Sequence, residues 1–266
     1  MIDIHCHILP GLDDGPETDD ESLDMLRMAA EDGITDIICT PHHLPGLYPT
    51  RAESITAAVS SLQQKADAAR IALVLHPGME VHVSAAEPAG LDSGTLLGLN
   101  AKNNAVLLEL PHNFVPPNLD TFFWSFISVG IRPVLAHVER NTGLLTDPSP
   151  LEKWVPMGVI TQVTASSLLG RFGPDVEDFA WRLMECNLAH VLATDAHSPH
   201  ARRPLMSDAA AEIEARLGLE LARDMTQHRP RALLHGQDID LPDPVPMPAN
   251  QDSPGLFRRL LSWIGG

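Results

Sequence analysis

Basic residues are scarce. Eighteen lysines and arginines face 35 aspartates and glutamates, for a net charge of −17, which argues against a nucleic-acid-binding surface. Cysteine is scarcer still: Cys6, Cys39 and Cys186 are odd in number and widely spaced, so no disulfide framework is expected and a reducing cytoplasm suits the chain. No uninterrupted run of ~18 apolar residues is present, which argues against an integral membrane protein. The first strand begins at the first residues, so no signal peptide is expected. What remains is 266 residues of which 44% are hydrophobic, enough for one large domain with a sizeable core.

Short β-rich runs alternate with helical stretches. The candidate strands are IDIHCH, TDIICTPHH, IALVLHPGMEVH, NAVLLELPH, RPVLAHVER, GVITQVTAS and AHVLATDAH. Between them, Glu21 to Asp32 carries Leu23, Met25, Leu26, Ala29 and Ala30 at helical spacing, with Asp19 or Asp20 as the expected cap and Gly33 as the stop. Arg51 to Ala69 and Asp175 to Cys186 read as further helices. This β-α alternation predicts a parallel sheet closed or nearly closed by helices. From about Ile239 the composition turns proline-rich, which divides the chain into a barrel over 1–239 and a linker with a short amphipathic segment over 240–266. In that segment Leu256, Phe257, Leu260, Leu261 and Ile264 share one helical face. Such a face docks on the barrel or a neighbouring subunit, or anchors to a membrane surface.

The opening stretch MIDIHCHILPGLDDG places two histidines and two aspartates within fifteen residues. In a strand His5 and His7 point the same way, about 7 Å apart, with Cys6 on the other side. Asp13 and Asp14 follow a Pro-Gly turn, and either completes a set suited to a divalent metal. The other strand ends extend the pattern. His42 and His43 follow the second strand, Glu80 the third, Glu109 ends the fourth, His137 the fifth, and Asp195 and His197 close the last. Six of seven candidate strands thus deliver a metal-competent side chain at the carboxyl end, the face on which parallel barrels build active sites.

These residues, with the segments MIDIHCHILPGLDDGPET, GITDIICTPHH, PGMEV, LLELP, PVLAHVER, ATDAHSPHARRP and HRPRALLHGQDI, resemble the PHP (polymerase and histidinol phosphatase) family. The resemblance is closest to its bacterial capsule-biosynthesis tyrosine phosphatases of the CpsB/YwqE kind. It implies an α/β fold, a distorted TIM-like (β/α)7 barrel with the metal site at the C-terminal face of the strands. It also implies three divalent ions, manganese first, with iron, zinc and magnesium as alternatives. Carried over residue by residue, His5, His7, Glu80 and Asp195 hold the first ion. Glu80 bridges to a second completed by Glu109 and His137, and Asp14, His42 and His197 hold a third. Arg140 and Arg202 match the phosphate-binding arginines, with Arg203 beside the latter.

The resemblance further implies a phosphotyrosine protein substrate, a membrane-associated bacterial tyrosine kinase controlling capsule or exopolysaccharide assembly, met in the cytoplasm at the inner face of the membrane. A homo-oligomer is compatible with it, and a nucleic-acid partner is not expected. The chemistry is coherent: clustered cations and guanidiniums steady phosphoryl oxygens, and a tyrosyl leaving group with a pKa near ~10 needs little acid assistance. That assistance falls to Asp14, through a metal-bound water, or to His42. Alternatives are a small-molecule phosphatase, such as one acting on histidinol phosphate, and a non-catalytic metal-binding scaffold. A cysteine-dependent tyrosine phosphatase needs an arginine six residues after its nucleophile. Leu12, Pro45 and Leu192 stand there instead, so that mechanism is excluded.

Other residues receive structural readings. Cys6 packs behind the site, and His43 supports it or lies exposed. His76 and His82 belong to structure or the pocket rim, whereas His112 touches substrate. Asp3 makes local hydrogen bonds. Phe122, Phe123 and Trp124 form a helix core stripe, and Leu44–Pro49 and His112–Asn118 are loops that gate the pocket.

Overall fold

A computed structural model describes residues 1–248; the amphipathic segment expected over Leu256–Gly266 lies outside them. Among the described residues there are ten β-segments: β1 (Ile2–Cys6), β2 (Asp36–Cys39), β3 (His42–Leu44), β4 (Tyr48–Pro49), β5 (Val74–Pro77), β6 (Glu80–His82), β7 (Ala105–Glu109), β8 (Arg132–Leu135), β9 (Ile160–Thr164) and β10 (Val191–Ala193). Two expected strands are each broken in the middle. TDIICTPHH splits at Thr40-Pro41, where proline has no N–H for the ladder. IALVLHPGMEVH splits at Gly78, where a Cβ would lie 2.6 Å from Ile38 Cγ2, so only glycine lets the chain pass. The expected loop Leu44–Pro49 instead contains β4, which pairs antiparallel with β3.

The hydrogen-bonded orders are β1-β2-β5 and β10-β9-β8-β7-β6-β3-β4. Because β2 runs on into β3 and β5 into β6, these amount to seven parallel strand positions. The ring closes where His7 N donates to Ala196 O and Asp195 N to His5 O, both at 2.8 Å. A distorted (β/α)7 barrel results.

Alternate positions sort into two cores. Leu107, Val134, Ala136, Ile160, Val191 and Ala193 share an inner cluster with Ile2 and Ile4, and the closing helix Arg229–Leu234 plugs it with Leu233 and Leu234. The intervening residues, among them Val106, Leu108, Leu135, Val163 and Leu192, face the surrounding helices. One step further along the inward positions stand Glu109, Gln162 and Asp195, so the apolar interior is the floor of a polar layer. In β1 the alternation switches: Ile2 and Ile4 lie in the inner cluster, Cys6 and Ile8 in the outer. The switch falls where the register to β2 shifts between Asp3 and Cys6, and such a bulge re-aims side chains. His5 and His7 are thereby turned inward.

The helices follow the expected stripes with two corrections. Asp19–Glu31 is capped by Thr18, not by Asp19 or Asp20, because only Thr18 completes a reciprocal capping box with Glu21. In Leu119–Ile127, Phe123 and Phe126 are fully buried, but Trp124 is 58% exposed; three consecutive aromatics cannot all face inward at 100° per residue. The proline-rich segment lies against the barrel as far as it is described, with Val245 N donating to Cys186 O and Asn187 Nδ2 to Asp243 O. Among the described residues no helix is long and apolar enough to cross a membrane.

Candidate metal centre

All nine residues of the expected ligand set converge, and seven of them are buried, with Asp14 and His42 more open. His5 Nε2 lies 3.1 Å from His7 Nε2, 3.3 Å from Glu80 Oε1 and 3.4 Å from Asp195 Oδ1. His7 Nε2 is 3.3 Å from Glu80 Oε2. Glu80 also meets His42 Nδ1 at 2.8 Å and His137 Nε2 at 3.0 Å, and Glu109 lies 3.6 and 3.8 Å from the same two rings. On the open side Asp14 Oδ1 stands 3.3 Å from His197 Nε2 and 3.5 Å from His42 Nε2. Ligands at ~2.1 Å from one ion stand roughly 3–3.5 Å apart, which is the spacing seen. Three groups can each surround an ion: His5-His7-Glu80, His42-Glu80-Glu109 and His7-Asp14-His42-His197. His7 and His42 thus each enter two groups, where the resemblance assigns each to one.

The hydrogen bonds behind the rings decide which nitrogens are free. Gln162 Oε1 can only accept, so His5 Nδ1 donates to it at 3.0 Å. Asp13 Oδ2 accepts from His7 Nδ1 at 2.6 Å, and the Asp195 carbonyl from His197 Nδ1 at 3.0 Å. Each ring therefore turns an Nε2 lone pair into the cluster. Two lone pairs facing each other at 3.1 Å repel unless a cation or proton lies between them. Glu80 Oε2 and His197 Nε2 likewise approach charged neighbours without an aligned hydrogen bond among the described residues. The donor set fits a divalent metal.

Electrostatics agree. Burial alone would depress His7 and His42, yet Asp13 beside the first and Glu80 beside the second raise both above the ordinary imidazole value, a pull of carboxylates on positive charge that a bound cation would answer by displacing the proton. Burial also opposes ionisation of Glu80 and Asp195, but the histidines around Glu80, and Arg140, His5 and Arg202 around Asp195, hold both well below the usual carboxylate range. Burial and the Glu80 charge push Glu109 up, as expected where negative charge is crowded and a cation would relieve it. Burial, then the Arg140 charge, lowers His137 to about 3, leaving a neutral ring able to ligate.

Asp195 divides its work. Oδ1 faces His5 and His7, while Oδ2 pairs with Arg140 Nη1 at 2.7 Å and with Arg202 Nη2. Both arginines therefore stand at the edge of the cluster, and Arg203 is exposed. His137 (φ 34°) and Asp195 (φ 49°) both adopt left-handed backbone, an uncommon state for such residues that tends to mark functional sites.

Of the open alternatives, Asp13 is fully engaged: it accepts from His7, from His42 N and from Gly15 N. Asp14 is left to face the histidines. Gly15 is obligatory there, since a Cβ would sit 2.6 Å from His7 O. His43 bonds Thr50 O, His76 pairs with Asp36 and His82 with Ser84. His112 is 64% exposed and stacks on His137. Asp3 is buried and accepts from Thr194 N, Thr194 Oγ1 and His5 N.

Sequence reasoning missed Gln162, on the one strand that supplies no ligand. Its Oε1 also accepts from His137 N at 2.9 Å, so a single amide oxygen fixes two candidate ligands from two strands. Gln162→Leu is expected to lower metal affinity by about 10–100-fold, read by competition with a chelating dye; unchanged affinity would remove this role.

The model of the family described as capsular polysaccharide synthesis, CpsB/CapC, matches residues 1–235. Tyrosine-protein phosphatase YwqE of Bacillus subtilis is 36% identical over 247 residues, 93% of this chain and 96% of that protein. Tyrosine-protein phosphatase CpsB of Streptococcus pneumoniae is 28% identical over 244 residues, 90% of this chain and all of that one. A crystal structure from work on those two proteins, described as metal-dependent tyrosine phosphatases, superposes with a TM-score of 0.90 at 35% identity, covering 94% of this chain and 100% of that one.

Proposed function

The chain belongs to the CpsB/CapC family of capsular polysaccharide synthesis, and from that premise we propose that it is a metal-dependent phosphohydrolase removing phosphate from protein phosphotyrosine. The observation that carries the reading is the joining of nine ion-competent side chains to two arginines through one carboxylate, Asp195. A metal cluster held there supplies Lewis acidity toward phosphoryl oxygens and a nucleophile at neutral pH. His5, His7, Glu80 and Asp195 suit a first ion, Glu80, Glu109 and His137 a second, and Asp14, His42 and His197 a third; manganese suits this mixed imidazole-carboxylate set. Arg140 and Arg202 would pass from Asp195 Oδ2 to the equatorial oxygens of the phosphate. Asp14 or His42, the two most open members of the cluster, would give the departing oxygen what protonation it needs.

A peptide is favoured over a metabolite by the open rim. Asp14 and His112 have side chains 45% and 64% exposed, and a groove of about 380 Å³ lined by Asp14, Glu17, Glu21, His197 and Arg202 runs off beside the cluster. We further propose as its substrate a membrane-associated tyrosine kinase of capsule assembly, met at the inner face of the membrane; the family's setting in capsular polysaccharide synthesis supports this.

The test compares phosphate release from a phosphotyrosine peptide, a phosphoserine peptide and histidinol phosphate, with manganese and after exhaustive chelation. The phosphotyrosine peptide should turn over fastest, by about tenfold or more, and chelation should stop all release. Faster turnover of histidinol phosphate would overturn the substrate, and release surviving chelation would overturn the mechanism.

A further inference from the structure

Three partly exposed rings from separate chain segments stand against the site, two stacked on candidate metal ligands and the third on Arg140 at its edge. Tyr48, the only tyrosine in the chain, stacks on His42 with centroids 5.4 Å apart and planes 12° apart. His112, in the turn after β7, stacks on His137 at 6.0 Å and 20°. Phe172, between Gly170 and Gly173, both left-handed at φ 70° and 96°, lies under the Arg140 guanidinium at 4.9 Å and is still 37% exposed. His42 stands on β3, and His137 and Arg140 in the turn after β8, with β6 and β7 between those two strands in the order of the sheet.

We propose that Tyr48, His112 and Phe172 form an aryl collar that recognises the phenyl ring of the substrate and so sets selectivity for phosphotyrosine over alkyl phosphates. The inference deepens the phosphotyrosine reading and rests on it. A phosphate seated among His42, His137 and Arg140 leaves its ester oxygen pointing outward. A phenyl ring carried on that oxygen reaches the next stacking layer, at the 4.5–7 Å centroid spacing of aromatic pairs. The three rings stand at that spacing from His42, His137 and Arg140, at 5.4, 6.0 and 4.9 Å. The methylene of a phosphoserine ends before reaching them. Rings also keep flat faces available at low conformational cost, since each has only two side-chain torsions to fix.

The test uses full-length, manganese-loaded protein and two stable phosphonates, phenylphosphonate and methylphosphonate, with binding measured by calorimetry. Wild type should prefer the phenyl compound. Phe172→Leu, Tyr48→Leu and His112→Leu should each shrink that preference about two- to tenfold, and the three changes together should abolish it. Metal content, measured on the same samples, separates recognition from simple support of His42, His137 and Arg140. No phenyl preference in wild type, equal weakening of both phosphonates, or loss of metal with the preference intact would each overturn the collar. Failure to hydrolyse a phosphotyrosine peptide would instead overturn the function, and the phosphonate comparison reads the collar independently of turnover.

Discussion

Glu80→Gln is expected to lower turnover of a phosphotyrosine peptide on the order of 10³-fold or more and to strip metal from the two ion groups it joins. Glu80 is fully buried at the centre of the site, with His5, His7, His42 and His137 all within 3.3 Å of its two oxygens. It belongs to two of the three candidate ion groups. Glutamine keeps the volume, so a loss of activity cannot be assigned to a cavity. It removes one negative charge and replaces an acceptor oxygen by an N–H₂ aimed at imidazole lone pairs. Metal content by atomic emission and phosphate release on the same preparation check it. Activity with full metal would show that the two groups containing Glu80 hold their ions without it, and would overturn its central place.

Arg140→Ala should raise KM for the peptide on the order of 10²-fold while metal content stays intact, and Arg202→Ala should act alike. The two guanidiniums touch the cluster only through Asp195 Oδ2, the oxygen turned away from His5 and His7. Removing either leaves every candidate ligand in place. It takes away a charge poised for the phosphate, and one arginine remains to keep Asp195 paired. Loss of metal in either variant would mean that Asp195 depends on both arginines for its orientation, and would move them from substrate to scaffold.

Much of this site is legible in the chain before any coordinates. The rule that parallel strands carry function at their carboxyl ends gathers residues from His5 to His197, because the order of side chains along each strand is fixed by its period of two. What escapes that rule escapes for physical reasons. The bulge between Asp3 and Cys6 reverses the facing of β1 without any glycine or proline to announce it. Gln162 carries no charge and ligates nothing, so it reads as core; the signal was a long polar side chain two past Ile160, at the inward position where other strands carry Glu109 and Asp195. Thr18, Asp19 and Asp20 are all capable caps, and only the reciprocal spacing to Glu21 selects the threonine. Tyr48 sits in a two-residue strand, too short for any periodicity to register.

The closure of the barrel has a consequence for how the molecule comes apart. Beginning and end of the ring meet at a seam made of a single bridge, Cys6 to Ala196, a pair of backbone bonds and the bonds that the Asp3 carboxylate accepts from Thr194. An ion held by His5 and His7 on one lip and by Asp195 on the other would rivet that seam shut. Stripped of it, the cylinder should unzip there first, with the amides of His7 and Asp195 exchanging with solvent sooner than those of β7 on the far wall.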